Sequence, residues 1–222
     1  MIQPDARSRL TAQDVALVLE WTTAGRPPTQ EDVDLWLLEA DLDEVLDRPE
    51  VADRVASTPM PGPSPSLFFY VLVRRALMRC GVADRRIADY CAALLREFGA
   101  GDRAHRIGSY DDHRHGYLVD IMADASSATG ERQFRVLAHL GNYALWFAGV
   151  FPERIEARRS RKGGPDLSYY DAMGGRGYAE ASDHWLAERT GLAEVYRTAA
   201  DRFVTLRTAL NAVSDDFRRR AA

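Results

Sequence analysis

Apolar residues recur along this chain at intervals of three and four, and no stretch alternates apolar and polar positions long enough to argue for a strand. Turn-forming residues cut that pattern into helices. Thr11, with Asp14 three residues on, predicts a helix start, and Gly25, Pro27 and Pro28 follow its end near Thr23. Thr29 and Asp32 repeat the device ahead of a segment 30–47 that buries Val33, Trp36, Leu37, Val45 and Leu46. A short helix over about 49–56 opens on Pro49. Prolines at 59, 61, 63 and 65 then exclude a helix and suit an extended linker.

Ser66 is the expected cap of a helix that runs to Cys80 and ends at Gly81. Helices over about 83–98 and 116–127 follow, separated by a loop rich in Asp, Arg and His. The segment 131–150 is the most informative. Phe134, Leu137, Leu140, Ala144, Leu145, Trp146, Phe147 and Val150 leave it almost no solvated face after Arg135, as expected of a helix at the centre of a bundle. Beyond Pro152 the pattern predicts a helix at 153–160, a long one from Asp166 or Ser168 to Thr190, and a last one over 192–214. The tail 215–222 reads as frayed. Gly174, Gly175 and Gly177 inside the long helix imply either a break or close approach by another backbone.

The fold class is therefore all-α: a multi-helix bundle of about eight helices around the central apolar helix 131–150. Residues 1–56 form an acidic N-terminal helical segment packed on the bundle, 57–66 a Pro-rich linker, and 67–222 the main helical bundle.

With 46% apolar and 28% charged residues, the composition is that of an ordinary globular protein. The longest central apolar run, Leu67 to Val73, stops at Arg74 and Arg75, far short of the roughly 20 residues that cross a bilayer. The polar N-terminus lacks the basic and apolar blocks of a secretory signal, so a cytoplasmic location of bacterial type is expected, with no membrane association. Cys80 and Cys91 lie among apolar neighbours without a Cys-x-x-Cys pair, which predicts buried thiols. The net charge of −4 is unevenly spread: residues 1–66 are acidic and 67–222 basic overall. The near-neutral total lacks the strongly basic character expected of a nucleic-acid binder.

His139, Asn142 and Tyr143 share one face of the central helix. They form either an internal polar network or the wall of a pocket in which His139 transfers a proton. Glu180 and His184 lie four apart, and Asp111, Asp112, His113 and His115 crowd the central loop, but neither set has the spacing of a known metal site, so no metal and no cofactor are predicted. Arg154, Arg158, Arg159, Arg161 and Lys162 form a basic cluster able to hold an anionic small ligand. Tyr169, Tyr170, Met173 and Tyr178 flank the glycines and can shape a pocket.

Two functional readings follow. The first is a binding or interaction protein, with a protein partner or self-association through 151–178 and the acidic N-terminal region. The second is a small-molecule-binding protein or enzyme. Its interhelical pocket is lined by His139, Tyr143, Tyr170, Tyr178 and His184, with His139, Tyr143 and His184 as candidate catalytic groups. Asn142, Arg154, Arg158, Tyr169, Tyr170 and Tyr178 are its candidate ligand-binding residues.

Overall fold

The structure, a computed structural model, describes residues 1–23, 29, 31, 33–34, 42–58, 62–108, 111 and 114–221, with side chains as far as Arg218. Twelve α-helices and no strand are found among them, so the chain is an all-α helical protein. Gly25, Pro27, Pro28, Asp32, Trp36, Leu37, Pro59, Pro61, Asp112 and His113, all used above, lie outside the described residues. The described residues divide into two compact units, 4–96 and 1–3 with 97–222.

The unit 4–96 contains a 3₁₀ turn at Arg7–Arg9 and helices α1 (Ala12–Thr22), α2 (Leu42–Leu46), α3 (Pro49–Ser57), α4 (Pro65–Arg79) and most of α5 (Arg85–Gly99). Thr11 and Asp14 form the expected capping box. Asp14 does more than cap. It is buried, and its second oxygen accepts the Ser64 amide 50 residues on, at 2.8 Å. Val15, Leu19 and Val33 pack as one apolar cluster. The cap of α4 is Ser64 rather than Ser66, because Pro65 is tolerated in the first helical turn. Ser66 lies inside the helix, where its hydroxyl accepts from Arg96.

The second unit holds a 3₁₀ turn at Arg103–His105 and helices α6 (Leu118–Ser127), α7 (Gly130–Val150), α8 (Pro152–Lys162), α9 (Leu167–Ser182), α10 (Trp185–Arg189), α11 (Ala193–Asp201) and α12 (Phe203–Ala221). Fourteen of the 21 residues of α7 are buried, so the helix has no continuous solvated face and forms the axis of the unit. It packs against α6, α9 and α12. The long helix expected to reach Thr190 breaks at Asp183–His184, where the extended backbone of His184 lets its ring accept the Leu186 amide and start α10. The three glycines do not break α9. A Cβ on Gly177 would lie 3.0 Å from both the Gly141 amide nitrogen and the Leu137 carbonyl oxygen, so Gly177 is where α9 approaches the α7 backbone.

The C-terminal tail is not frayed at 215, since α12 continues to Ala221. Its side chains also finish α7. Asn211 donates to the carbonyls of Ala148 and Gly149, and Ser214 donates to that of Val150, all at 2.7–2.9 Å. Those carbonyls are among the last four of α7, which no intrahelical amide can serve. No described helix is long and apolar enough to cross a membrane.

Candidate functional site

The short α8 ends at Gly163, whose left-handed conformation (φ 62°) turns the chain back toward α9. That turn leaves a cleft of about 530 Å³ between α8, the start of α9 and the residues leading into α6. Leu118, Ile155 and Tyr170 form its buried wall, Tyr117, Val119 and Pro165 its exposed rim, and Arg158 and Lys162 its cationic edge. Ile155 is the one buried side chain of α8, so that helix turns a single apolar residue inward and leaves its basic residues outside.

Arg158 is held in place by aromatic faces. Its guanidinium lies 5.5 Å from the Tyr117 ring centre and 5.4 Å from that of Phe147, within cation–π range. Tyr170 stacks on Phe147 at 5.7 Å, and Tyr143 stacks on Phe147 from elsewhere at 5.7 Å with the rings almost parallel. Burial raises the Tyr170 phenol above its ordinary value, and the nearby Arg158 charge opposes the rise. Neither Arg158 nor Lys162 has an ion pair among the described residues, whereas Arg159 of the same helix pairs with Glu156 at 3.5 Å. The cleft therefore offers aromatic and aliphatic surface beside two cationic groups with no carboxylate of their own. Tyr169 also lines it, its hydroxyl 3.3 Å from the Met122 sulfur.

The other residues singled out from the sequence are dispersed. Arg154 covers the Phe151 ring at 4.5 Å and does not line the cleft. Tyr178 is buried on α9, where its hydroxyl donates to the Asn142 side-chain oxygen at 2.8 Å, so Asn142 is satisfied from α9 rather than by His139 or Tyr143 of its own face. His184 caps α10 and stacks on Phe134 at 5.2 Å. Glu180 pairs with Arg176, not with His184. Asp111 binds the Gly108 amide and pairs with Arg132, while His115 lies 3.4 Å from Asp124. No group of three or more ligating side chains suited to a metal occurs among the described residues. Tyr143 donates to the Gly116 carbonyl at 3.2 Å, and burial raises its phenol to about 12. Of the set His139, Tyr143, Tyr170, Tyr178 and His184, Tyr170 lines this cleft and His139 a separate cavity. The cleft also draws on Tyr117, Leu118 and Val119, which carry no distinguishing sequence signal.

His139 is buried beside Phe98, their ring centres 5.6 Å apart. Burial, reinforced by the Arg103, His115 and His105 charges, pushes its imidazole down to about 3. A proton-transfer group is most effective with a pKa near the working pH, so a neutral, acid-resistant imidazole suits hydrogen bonding better than proton transfer. The lowered value also fixes the sign of a pH effect. Between about 6.5 and 3 the unfolded chain takes up a proton that the folded chain refuses. The stabilisation is complete above pH 6.5 and lost as the pH falls, by up to about 1.4 kcal/mol per pH unit for one proton. Denaturant titrations at pH 6 and 5 should show that loss, and the His139 ring nitrogens should keep their neutral NMR shifts to pH 4.5. A titration midpoint near 6.5 would refute the assignment.

No known protein family, characterised protein or solved structure shows detectable similarity to this chain.

Proposed function

We propose that this chain is a helical binding protein whose ligand is a small amphipathic anion, an aromatic or branched apolar body ending in a carboxylate or sulfonate. The observation that carries this reading is the pair Arg158 and Lys162, without carboxylate partners among the described residues, at the edge of an apolar, aromatic-walled cleft. The volume of about 530 Å³ lies within the range of small-molecule sites. Planar guanidinium recognition of a carboxylate provides orientation, and burial of the apolar body against Leu118, Ile155 and Tyr170 provides affinity. The unpaired thiols Cys80 and Cys91 support placement in a reducing compartment such as the cytoplasm; recovery of the protein from an oxidising compartment would oppose it.

Calorimetric titration with naphthalene-2-carboxylate tests the site. The acid is expected to bind at least tenfold more tightly than the uncharged carboxamide. The Arg158→Glu, Lys162→Glu double variant should abolish that preference while leaving the thermal midpoint within a few degrees, because both side chains are exposed. Equal affinity for acid and amide, or a preference that survives in the double variant, would overturn the reading.

A further inference from the structure

A second cavity, of about 320 Å³, lies where the N-terminal half of α7 meets the 3₁₀ turn 103–105; Arg103, Ile107, Phe134, His139 and Asn142 are among its walls. We propose that this cavity binds a small anion that also carries a hydroxyl group, with Arg103 holding the charge and His139 accepting the hydroxyl proton in a hydrogen bond. The proposal uses residues separate from the Arg158 cleft and stands independently of it.

Arg103 supplies the first half of the argument. Its side chain is half-buried and has no ion pair among the described residues. Its remaining contacts are the Arg106 carbonyl, to which it donates, and the Phe98 ring, whose centre is 5.8 Å away. Burial lowers its pKa, and the more distant Glu97 and Asp111 charges offset that only in part. Arg135 and Glu131 also line the cavity and pair with each other at 2.5 Å, so their charges match and, among the described residues, Arg103 is left as the guanidinium without a carboxylate. A carboxylate or phosphate oxygen pair entering the cavity would meet the planar guanidinium of Arg103 as a bidentate partner.

His139 supplies the second half. Its imidazole is hydrogen-bonded to the Ala104 backbone in the sense that favours the protonated ring, so a ring N–H donates to the carbonyl. The Nε2 atom is buried and has no partner, which assigns that proton to Nδ1 and leaves Nε2 as an unsatisfied acceptor. An acceptor calls for a donor on the ligand. An ammonium group would be repelled by Arg103, whose charge already acts on the imidazole. A neutral hydroxyl meets no such penalty. Ile107 and Phe134 add apolar surface to the wall, against which the carbon skeleton of the ligand packs.

Isothermal titration of the full chain at pH 7.5 with D-glycerate, propionate and glycerol separates the two contacts. Glycerate should bind at least tenfold more tightly than propionate, which lacks the hydroxyl, and glycerol, which lacks the charge, should give no heat. Arg103→Gln should weaken glycerate at least tenfold with an unchanged circular-dichroism spectrum. The His139 Nε2 resonance of the unmodified protein should move on saturation, which avoids replacing a buried residue. Equal affinity for glycerate and propionate, undiminished binding in Arg103→Gln, an unmoved Nε2 resonance, or no binding of glycolate, glycerate or malate at millimolar concentration would each overturn the proposal.

Discussion

Asp47→Ala is expected to lower the unfolding free energy of the unit 4–96 by about 3–5 kcal/mol, the cost of leaving a buried charge without its partner. Arg74 is 4% exposed. Its Nε and Nη2 donate to the two Asp47 oxygens at 2.8 and 3.0 Å, and its Nη1 donates to the Ala83 carbonyl at 2.7 Å. Arg85 adds a third donor to Asp47 at 3.1 Å. Burial alone would raise the Asp47 carboxyl, but the hydrogen bonds from Arg74 and Arg85 outweigh it and hold it below its ordinary value. Removing the carboxylate strands a buried guanidinium on one carbonyl. Removing Arg85, whose side chain is 35% exposed, should cost less than about 1 kcal/mol. Replacing Asp47 and Arg74 together by apolar residues of similar volume should restore much of the loss, because the desolvation penalty leaves with the pair. Urea titrations of the three variants check this. A loss in Asp47→Ala no greater than that in Arg85→Ala would show that Arg74 is not held by Asp47.

The same residues show what a single sequence can reveal. A helix announces itself through neighbours three and four positions away, so the capping box at Thr11 and the burial of α7 were legible. The sequence also limited the glycines of α9 to two explanations, because their cost in a helix demands a packing reason. Arg74 reads in sequence only as the end of an apolar run. Its partner lies 27 residues away, and nothing local distinguishes Asp47 from the acids around it. The division of the long helix at His184 was hidden for a different reason: the bond from Leu186 is local, but a histidine rarely signals a cap.

The candidate site was legible in its charges and not in its walls. Arg158, Tyr169 and Tyr170 stand out as a basic cluster close to paired tyrosines, and the turn at Gly163 does bring them together. Tyr117, Leu118 and Val119 come from the far side of α7 in sequence, and only tertiary packing places them opposite Arg158. The polar face of α7 was also visible as a face, but its members diverge once neighbours are added. Asn142 turns to Tyr178, Tyr143 to Gly116, and His139 to the Ala104 backbone. A shared helix face fixes which residues point one way, not which of them share a cavity.

Two adjacent glycines give the sharpest test of how α9 is seated, with opposite expected signs. A Cβ on Gly174 would come within 2.3 Å of the Phe203 ring and 2.7 Å of the Ala144 Cβ, while one on Gly175 would find nothing nearer than 3.8 Å. The Phe203 ring has little room to yield, since it is 3% exposed and packs against Tyr178 at 6.1 Å. Gly174→Ala should therefore overpack the core and cost about 1–3 kcal/mol. Gly175→Ala exchanges a flexible residue for a strong helix former where the new methyl meets only ordinary van der Waals contacts, and should stabilise by about 0.5–1 kcal/mol. The two variants share the same chemistry and the same helix, so propensity cancels in the comparison and only the approach of α9 to α7 and Phe203 remains. Thermal melts of both, beside the unmodified protein, read the difference directly. Midpoints that move in the same direction would mean that α9 is not packed as closely as the structure places it, and the wall that Tyr169 and Tyr170 give to the cleft would move with it.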